Sequence, residues 1–132
     1  MARINTAGAG SESQEQAQLV FWWKMAGRRL APSVVLASIP NGGARSAITG
    51  ARLKREGLVA GMPDMVLLCA RCGRHGLFIE MKTACGRVSQ SQRDLFPLLE
   101  AQGYGVVVAH GWKEAAEAVT AYLENRWEPS HV

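Results

Sequence analysis

Two acidic residues and one lysine in the middle of the chain have the types and spacing that suit phosphate chemistry. Asp64 follows a proline at the start of one predicted strand, and Glu80 and Lys82 lie two residues apart in the next. If these strands pair as a hairpin, Asp64 and Glu80 fall near the same end of the ladder, and Glu80 and Lys82 share one face. Two such carboxylates can hold Mg²⁺ or Mn²⁺, and the lysine can orient a water or neutralise charge on a phosphate.

Each of these residues also has an ordinary structural interpretation. Asp64 could cap a turn or a helix, and an acid and a lysine two residues apart could form a surface ion pair. The charge distribution favours the metal site. Of the 15 basic residues in the chain, nine lie between residues 45 and 93, where only three of the 11 acids occur. Asp64 and Glu80 are two of those three acids.

The elements that must position these side chains alternate between helices and strands. Helices are predicted over residues 11–25, 46–57, 89–101 and 112–126, and strands over residues 33–39, 64–70, 77–83 and 104–109. The glycine-containing segment 71–76 is typical of a hairpin loop. Pro97 falls inside the third helix, where it should kink or destabilise it. This order predicts an α/β fold in which helices flank a mixed central sheet.

Length and composition indicate one globular domain. The chain has 132 residues, of which 48% are apolar and 20% charged, which is usual for a folded domain. We expect a flexible arm over residues 1–10, a single domain over 11–128 and a short tail over 129–132. Because no apolar run is long enough to cross a membrane and the start does not resemble a signal peptide, we expect a cytoplasmic protein without membrane partners.

A series of short motifs around the paired acids resembles the VRR-NUC family, small nuclease domains of the PD-(D/E)xK superfamily found in phages, prophages and some repair enzymes. The resemblance covers about residues 12 to 122 and implies a restriction-endonuclease-like core. It rests on Ile39-Pro40-Asn41-Gly42-Gly43-x-Arg45, Leu53-Lys54-x-x-Gly57, Gly61-x-Pro63-Asp64, Gly76-Leu77-Phe78-Ile79-Glu80-Met81-Lys82, Gly86-Arg87-Val88-Ser89-x-x-Gln92 and Gly103-Tyr104.

The resemblance implies roles for individual residues in the middle of the chain. Asp64 and Glu80 would be metal ligands, with the carbonyl of Met81 as a third. Lys82 would be the catalytic lysine. Gln92 corresponds to a glutamine that lies near the metal site in this family.

The family also has a glutamate on its first helix, within an E-x-x-x-Q motif. Glu12 with Gln16 fits that spacing, and Glu15 is the alternative. The resemblance also implies that Asn41 and Arg45 lie near the DNA.

Basic residues of the second helix and of the segment after the third strand could contact the nucleic-acid backbone. Such residues on a helix are most often a solvated face, but beside an acidic metal site they favour a phosphate track. The residues expected to contact DNA here are Arg52, Lys54 and Arg55 in the second helix, and Arg87 after the third strand.

The sequence therefore predicts a Mg²⁺- or Mn²⁺-dependent nuclease that hydrolyses DNA, selective for branched or flapped structures and active as a homodimer. One alternative is a non-catalytic DNA-binding module on the same fold. Another is a zinc-stabilised interaction domain, for which the available ligands are Cys69, Cys72, His75 and Cys85. The four tryptophans are expected to pack within the fold rather than to stack on bases: Trp22, Trp23, Trp112 and Trp127.

Overall fold

The structure is a computed structural model that describes residues 10–40 and 47–130. Its helices and strands follow the predicted order. They are α1 (Glu12–Met25), β1 (Val35–Ser38), α2 (Ala47–Arg55), β2 (Met65–Leu68), β3 (Leu77–Lys82), α3 (Gln90–Ala101), β4 (Gly105–His110) and α4 (Trp112–Leu123), with a short 3₁₀ turn at Gly27–Leu30. None of the described helices is long and apolar enough to cross a bilayer.

The four strands form one mixed sheet in the order β1-β2-β3-β4. The first two pairings, β1 with β2 and β2 with β3, are antiparallel, whereas β3 and β4 are parallel. A parallel pair needs a crossover connection, and α3 lies in it. The predicted α/β fold with a mixed sheet and flanking helices is therefore confirmed.

The main core lies between one face of the sheet and the helices α1 and α4. Alternate residues of β3 point into it, and Ile79 and Met81 are fully buried there beside Leu19 of α1 and Val119 of α4. The residues between them, including Glu80, point to the opposite face, because side chains alternate along a strand. All six residues of β3 are buried, so β3 carries its polar residues into a site screened from solvent.

The tip of the β2–β3 hairpin is fastened to the end of α4. The hydroxyl of Tyr122 donates to the carbonyl of Cys69 at 2.8 Å and accepts from the backbone N–H of Arg71 at 3.3 Å. The side chain of Asn125 accepts from the N–H of Cys72 at 2.8 Å. These bonds hold the hairpin that carries both central acids against the rest of the domain.

The last helix is shorter than the sequence predicts, and the third helix is not interrupted by its proline. The last helix ends at Leu123 rather than at residue 126, because Asn125 adopts a φ of 60°, a left-handed conformation that ends helices. Trp127 therefore lies beyond the helix, although it packs against the core as expected, as do the other three tryptophans. The helix α3 continues through Pro97.

The helix α2 differs from the other helices because none of its residues is buried. Ile48 near its start is 84% exposed. The packing of the described residues thus places α2 at the surface, with its charged side chains in solvent.

Candidate metal centre

The register of the hairpin brings the two central acids together. Because Met65 pairs with Ile79 across β2 and β3, Asp64 comes opposite Glu80 at the end of the ladder. The carboxylate of Asp64 accepts a hydrogen bond of 2.8 Å from the backbone N–H of Met81. The convergence expected from the alternation of strand residues is present in the structure.

A third carboxylate reaches the same point from the first helix. Oxygens of Glu12, Asp64 and Glu80 all lie within 4.8 Å of one another. Glu15, the alternative on α1, is occupied elsewhere, because its Oε1 accepts from the backbone N–H of Trp112 at 2.8 Å. Of the two first-helix acids, the structure therefore brings Glu12 into the cluster.

Glu80 lies at the centre of this cluster in an environment that disfavours its charge. It is 2% exposed, and burial together with the neighbouring Asp64 carboxylate raises its pKa to about 7, while Lys82 and Gln92 act in the opposite direction. One oxygen lies 3.2 Å from the Nζ of Lys82. The other, Oε1, is buried without a hydrogen-bond partner among the described residues. A divalent cation would satisfy that oxygen and favour the ionised carboxylate, so the residues present fit a metal ion.

Lys82 and Met81 approach the cluster in different ways. Lys82 is only 7% exposed and places its ammonium group beside Glu80. The Met81 side chain is fully buried in the core, so its backbone alone faces this region. Metal coordination by the Met81 carbonyl stays a prediction.

Gln92 is positioned by the start of α3. Its side-chain oxygen accepts from the N–H of Ser89 at 2.8 Å, and the hydroxyl of Ser89 accepts from the N–H of Gln92 at 3.2 Å, which together form a capping box. Gln92 also lies close enough to Glu80 to lower the pKa of that carboxyl.

The three clustered acids, Lys82 and Gln92 line one polar cavity of about 460 Å³. Sequence reasoning had not singled out two of its residues, Ser38 and Met62, because neither is charged. Their positions beside the ends of β1 and β2 were the available indication that they lie near the site. The cavity is lined by Glu12, Gln16, Ser38, Ile39, Pro40, Met62, Asp64, Glu80, Lys82 and Gln92.

The residues expected to contact DNA are either exposed or outside the described residues. Asn41 and Arg45 lie outside the described residues. The three basic side chains at the end of α2, which we call the α2 basic cluster, are all exposed: Arg52, Lys54 and Arg55. The guanidinium of Arg52 lies 3.8 Å from the carboxylate of Glu56. Arg87 is also exposed.

The cysteines do not gather into a site comparable to the acidic one. Among residues 10–40 and 47–130, the acidic trio is the only group of three or more potential metal ligands close enough together to share an ion. The thiol of Cys72 donates to the carbonyl of Tyr122 at 3.6 Å, and burial raises the pKa of the Cys69 thiol. A zinc ligand needs the thiolate form, so this environment does not favour the zinc alternative.

Comparisons with known proteins bear on the family and the fold of this chain. The family model of the VRR-NUC domain matches residues 5–113. A solved structure described as a VRR_NUC domain protein superposes with a TM-score of 0.73 at 26% identity, over 94% of this chain and 98% of that chain. No curated protein matches the chain. The mixed sheet and its helices thus have a VRR-NUC nuclease-like fold.

Proposed function

Because the chain belongs to the VRR-NUC domain family, we propose that it is a metal-dependent nuclease that hydrolyses DNA phosphodiester bonds. We assign this activity to one unit, residues 11–128, acting in the cytoplasm of a bacterium or a phage-infected cell. The observation that supports the proposal is the convergence of Glu12, Asp64 and Glu80 within 4.8 Å, with Lys82 3.2 Å from Glu80.

The three carboxylates would hold Mg²⁺ or Mn²⁺, and the carbonyl of Met81 would add a fourth protein ligand. When bound, the ion polarises the scissile phosphate and acidifies a water. Lys82 would orient the attacking water and neutralise charge that develops on the phosphate, since its ammonium is held inside the cavity by Glu80. Gln92 would use its amide nitrogen to fix the orientation of the Glu80 carboxylate.

Exposed basic side chains would hold the DNA backbone near this cavity. The α2 basic cluster and Arg87 are accessible, and α2 contributes no buried residue to the core, so its charged face is free to follow phosphates. Asn41 and Arg45 would contact the DNA as well. A domain of this size has a small footprint, and we propose that a homodimer on branched or flapped DNA completes it.

The dimer surface that we favour is the outer face of α1. Phe21 and Met25 are four residues apart on that helix and are 58% and 56% exposed, so they form an apolar pair on one side. Light scattering after size exclusion should give about twice the chain mass for the parent. Replacing both residues with serine should give monomers, and a dimeric double variant would exclude this surface.

A cleavage assay tests the catalytic proposal. Purified protein is incubated with linear, flapped and four-way-junction DNA in Mg²⁺, Mn²⁺ or EDTA. We expect cutting with a metal and none with EDTA, and a loss of at least about a hundredfold in Asp64→Asn, the scale on which electrostatic groups of this kind act. Glu117→Gln, an exposed acid on α4, is the matched control. The proposal fails if no substrate is cut, or if Asp64→Asn cuts like the parent.

A second measurement separates catalysis by Lys82 from simple DNA binding. Lys82→Ala should bind DNA with nearly the affinity of the parent and lose most of its turnover. Equal losses of binding and turnover would make Lys82 a phosphate contact. Strong, salt-dependent binding without any cleavage by the parent would instead identify a DNA-binding module.

A further inference from the structure

The part of α1 that carries Glu12 is held to the protein by few apolar contacts. The buried residues of this helix are Leu19 and Trp23, both in its C-terminal half. A capping box between Ser11 and Gln14 closes the first turn, but it joins the helix only to itself. Something else must fix the direction in which Glu12 points.

Within residues 10–40 and 47–130, it is Glu15 that fastens this end of α1 to the rest of the domain. Its Oε1 accepts from the backbone N–H of Trp112, the first residue of α4, at 2.8 Å. The residue before it, Gly111, has a φ of 99° and no side chain to cap the helix. The first N–H groups of a helix have no partner within the helix, and a carboxylate there is a charge-assisted acceptor favoured by the helix dipole. Glu15 is thus a cap supplied by a different helix.

The same junction is bonded to the strand that carries the catalytic groups. The backbone N–H of Gly111 donates to the carbonyl of Lys82 at 3.0 Å. Two consecutive residues, Gly111 and Trp112, therefore join β3 on one side and α1 on the other. Glu12 and Glu15 are three residues apart, so they are neighbours on the helix surface. A displacement of Glu15 would move Glu12 with it.

We infer that Glu15 is a positioning residue for the metal centre: its bond to Trp112 sets the rotation of α1 at which Glu12 reaches Asp64 and Glu80. The inference rests on the proposed function, because it concerns the same metal site. It requires that the hydrogen-bond acceptor at position 15 matters more for the position of Glu12 than the negative charge does.

A pair of variants of equal length separates the acceptor from the charge. Glu15→Gln keeps an oxygen that can accept from Trp112, whereas Glu15→Met has none, and both are neutral. Titration calorimetry with Mn²⁺ should give Glu15→Gln an affinity within about threefold of the parent. Glu15→Met should bind about tenfold more weakly, as is usual when a residue supporting a ligand is lost. Glu117→Gln controls for the loss of a distant acid.

A second background tests whether Glu15 acts through Glu12. In a protein that already carries Glu12→Gln, the change Glu15→Met should weaken Mn²⁺ binding no further. Circular dichroism shows which variants are folded. If Glu15→Met is unfolded, Glu15→Asp takes its place, because it keeps the charge but is one methylene too short to reach Trp112, and it should lose affinity similarly.

Three results would overturn the inference. Parent-like affinity in Glu15→Met or Glu15→Asp would show that the bond does not position Glu12. Equal weakening in Glu15→Gln and Glu15→Met would assign the effect to charge. A parent that binds no Mn²⁺ would overturn both the inference and the proposed metal site. In the first two outcomes the parent still binds Mn²⁺, so the proposed metal site would stand.

Discussion

Replacing Glu80 with glutamine is expected to stabilise the metal-free protein at alkaline pH and to change it little in acid. In the folded protein the pKa of Glu80 is raised from 4.5 to about 7. Between these pH values the folded state keeps a proton that the unfolded state has released. The contribution of this group to stability is therefore complete below pH 4.5 and is lost as the pH rises through about 7. Glutamine does not titrate and avoids this loss.

The size of the effect follows from the raised pKa. One pKa unit corresponds to about 1.4 kcal/mol, so a rise from 4.5 to about 7 corresponds to on the order of 3 kcal/mol at pH 8. The attraction of Lys82 is already contained in that value, because it is one of the influences that lower the pKa. Part of the loss is present at pH 5. The advantage of the glutamine variant should grow by about 2 to 3 kcal/mol between pH 5 and pH 8.

Urea unfolding in EDTA at the two pH values measures this difference, and titrating groups remote from Glu80 cancel between parent and variant. Glu117→Gln, the exposed acid on α4, is the matched control. Saturating Mg²⁺ at about a hundred times its Kd should stabilise the parent at pH 8 by about 2.7 kcal/mol and should stabilise Glu80→Gln by less. A parent that is the more stable protein at pH 8 in EDTA would refute the reasoning, because burial would then not oppose the charge of Glu80.

Two further substitutions test the supports around the site. Gly61→Ala should destabilise the protein to urea by about 1 to 3 kcal/mol, since Gly61 has a φ of 91° and an added Cβ would lie 2.6 Å from the carbonyl oxygen of Ser91. Gly57→Ala, with a φ of 108° but nothing within 4 Å, should cost less, and equal losses would contradict the role of close packing. Tyr122→Phe should cost about 1 to 3 kcal/mol in the same assay because the carbonyl of Cys69 loses its donor, and a change below about 0.5 kcal/mol would argue against this fastening.

The hairpin part of the site could be predicted from the sequence because it follows from local rules. Alternation along a strand places Glu80 and Lys82 on one face, and a hairpin brings Asp64 to the same end. The choice between Glu12 and Glu15 could not be made in this way. Both residues lie on the same side of α1. They differ because Glu15 bonds the backbone N–H of Trp112, at the start of a helix that lies far along the chain.

The predicted end of α4 was wrong for a similar reason. Residues 124–126 have no feature that excludes a helix, and the structure ends it because Asn125 turns to bond the N–H of Cys72. That bond depends on where the β2–β3 loop lies, which sequence periodicity does not report. Tertiary hydrogen bonds, rather than local preferences, decided both points.

The position of α4 bears on which piece of the chain can fold alone. The family pattern ends at residue 113, only one residue after α4 begins, yet α4 covers the core face of the sheet. A fragment ending at residue 113 would expose Leu19, Ile79 and Met81, which are now fully buried, and its circular dichroism should be that of an unfolded chain. A folded fragment would show α4 to be dispensable. The smallest piece that folds alone is thus expected to extend past the residues that the family pattern covers, and fragments or fusions cut at that boundary are expected to be unfolded.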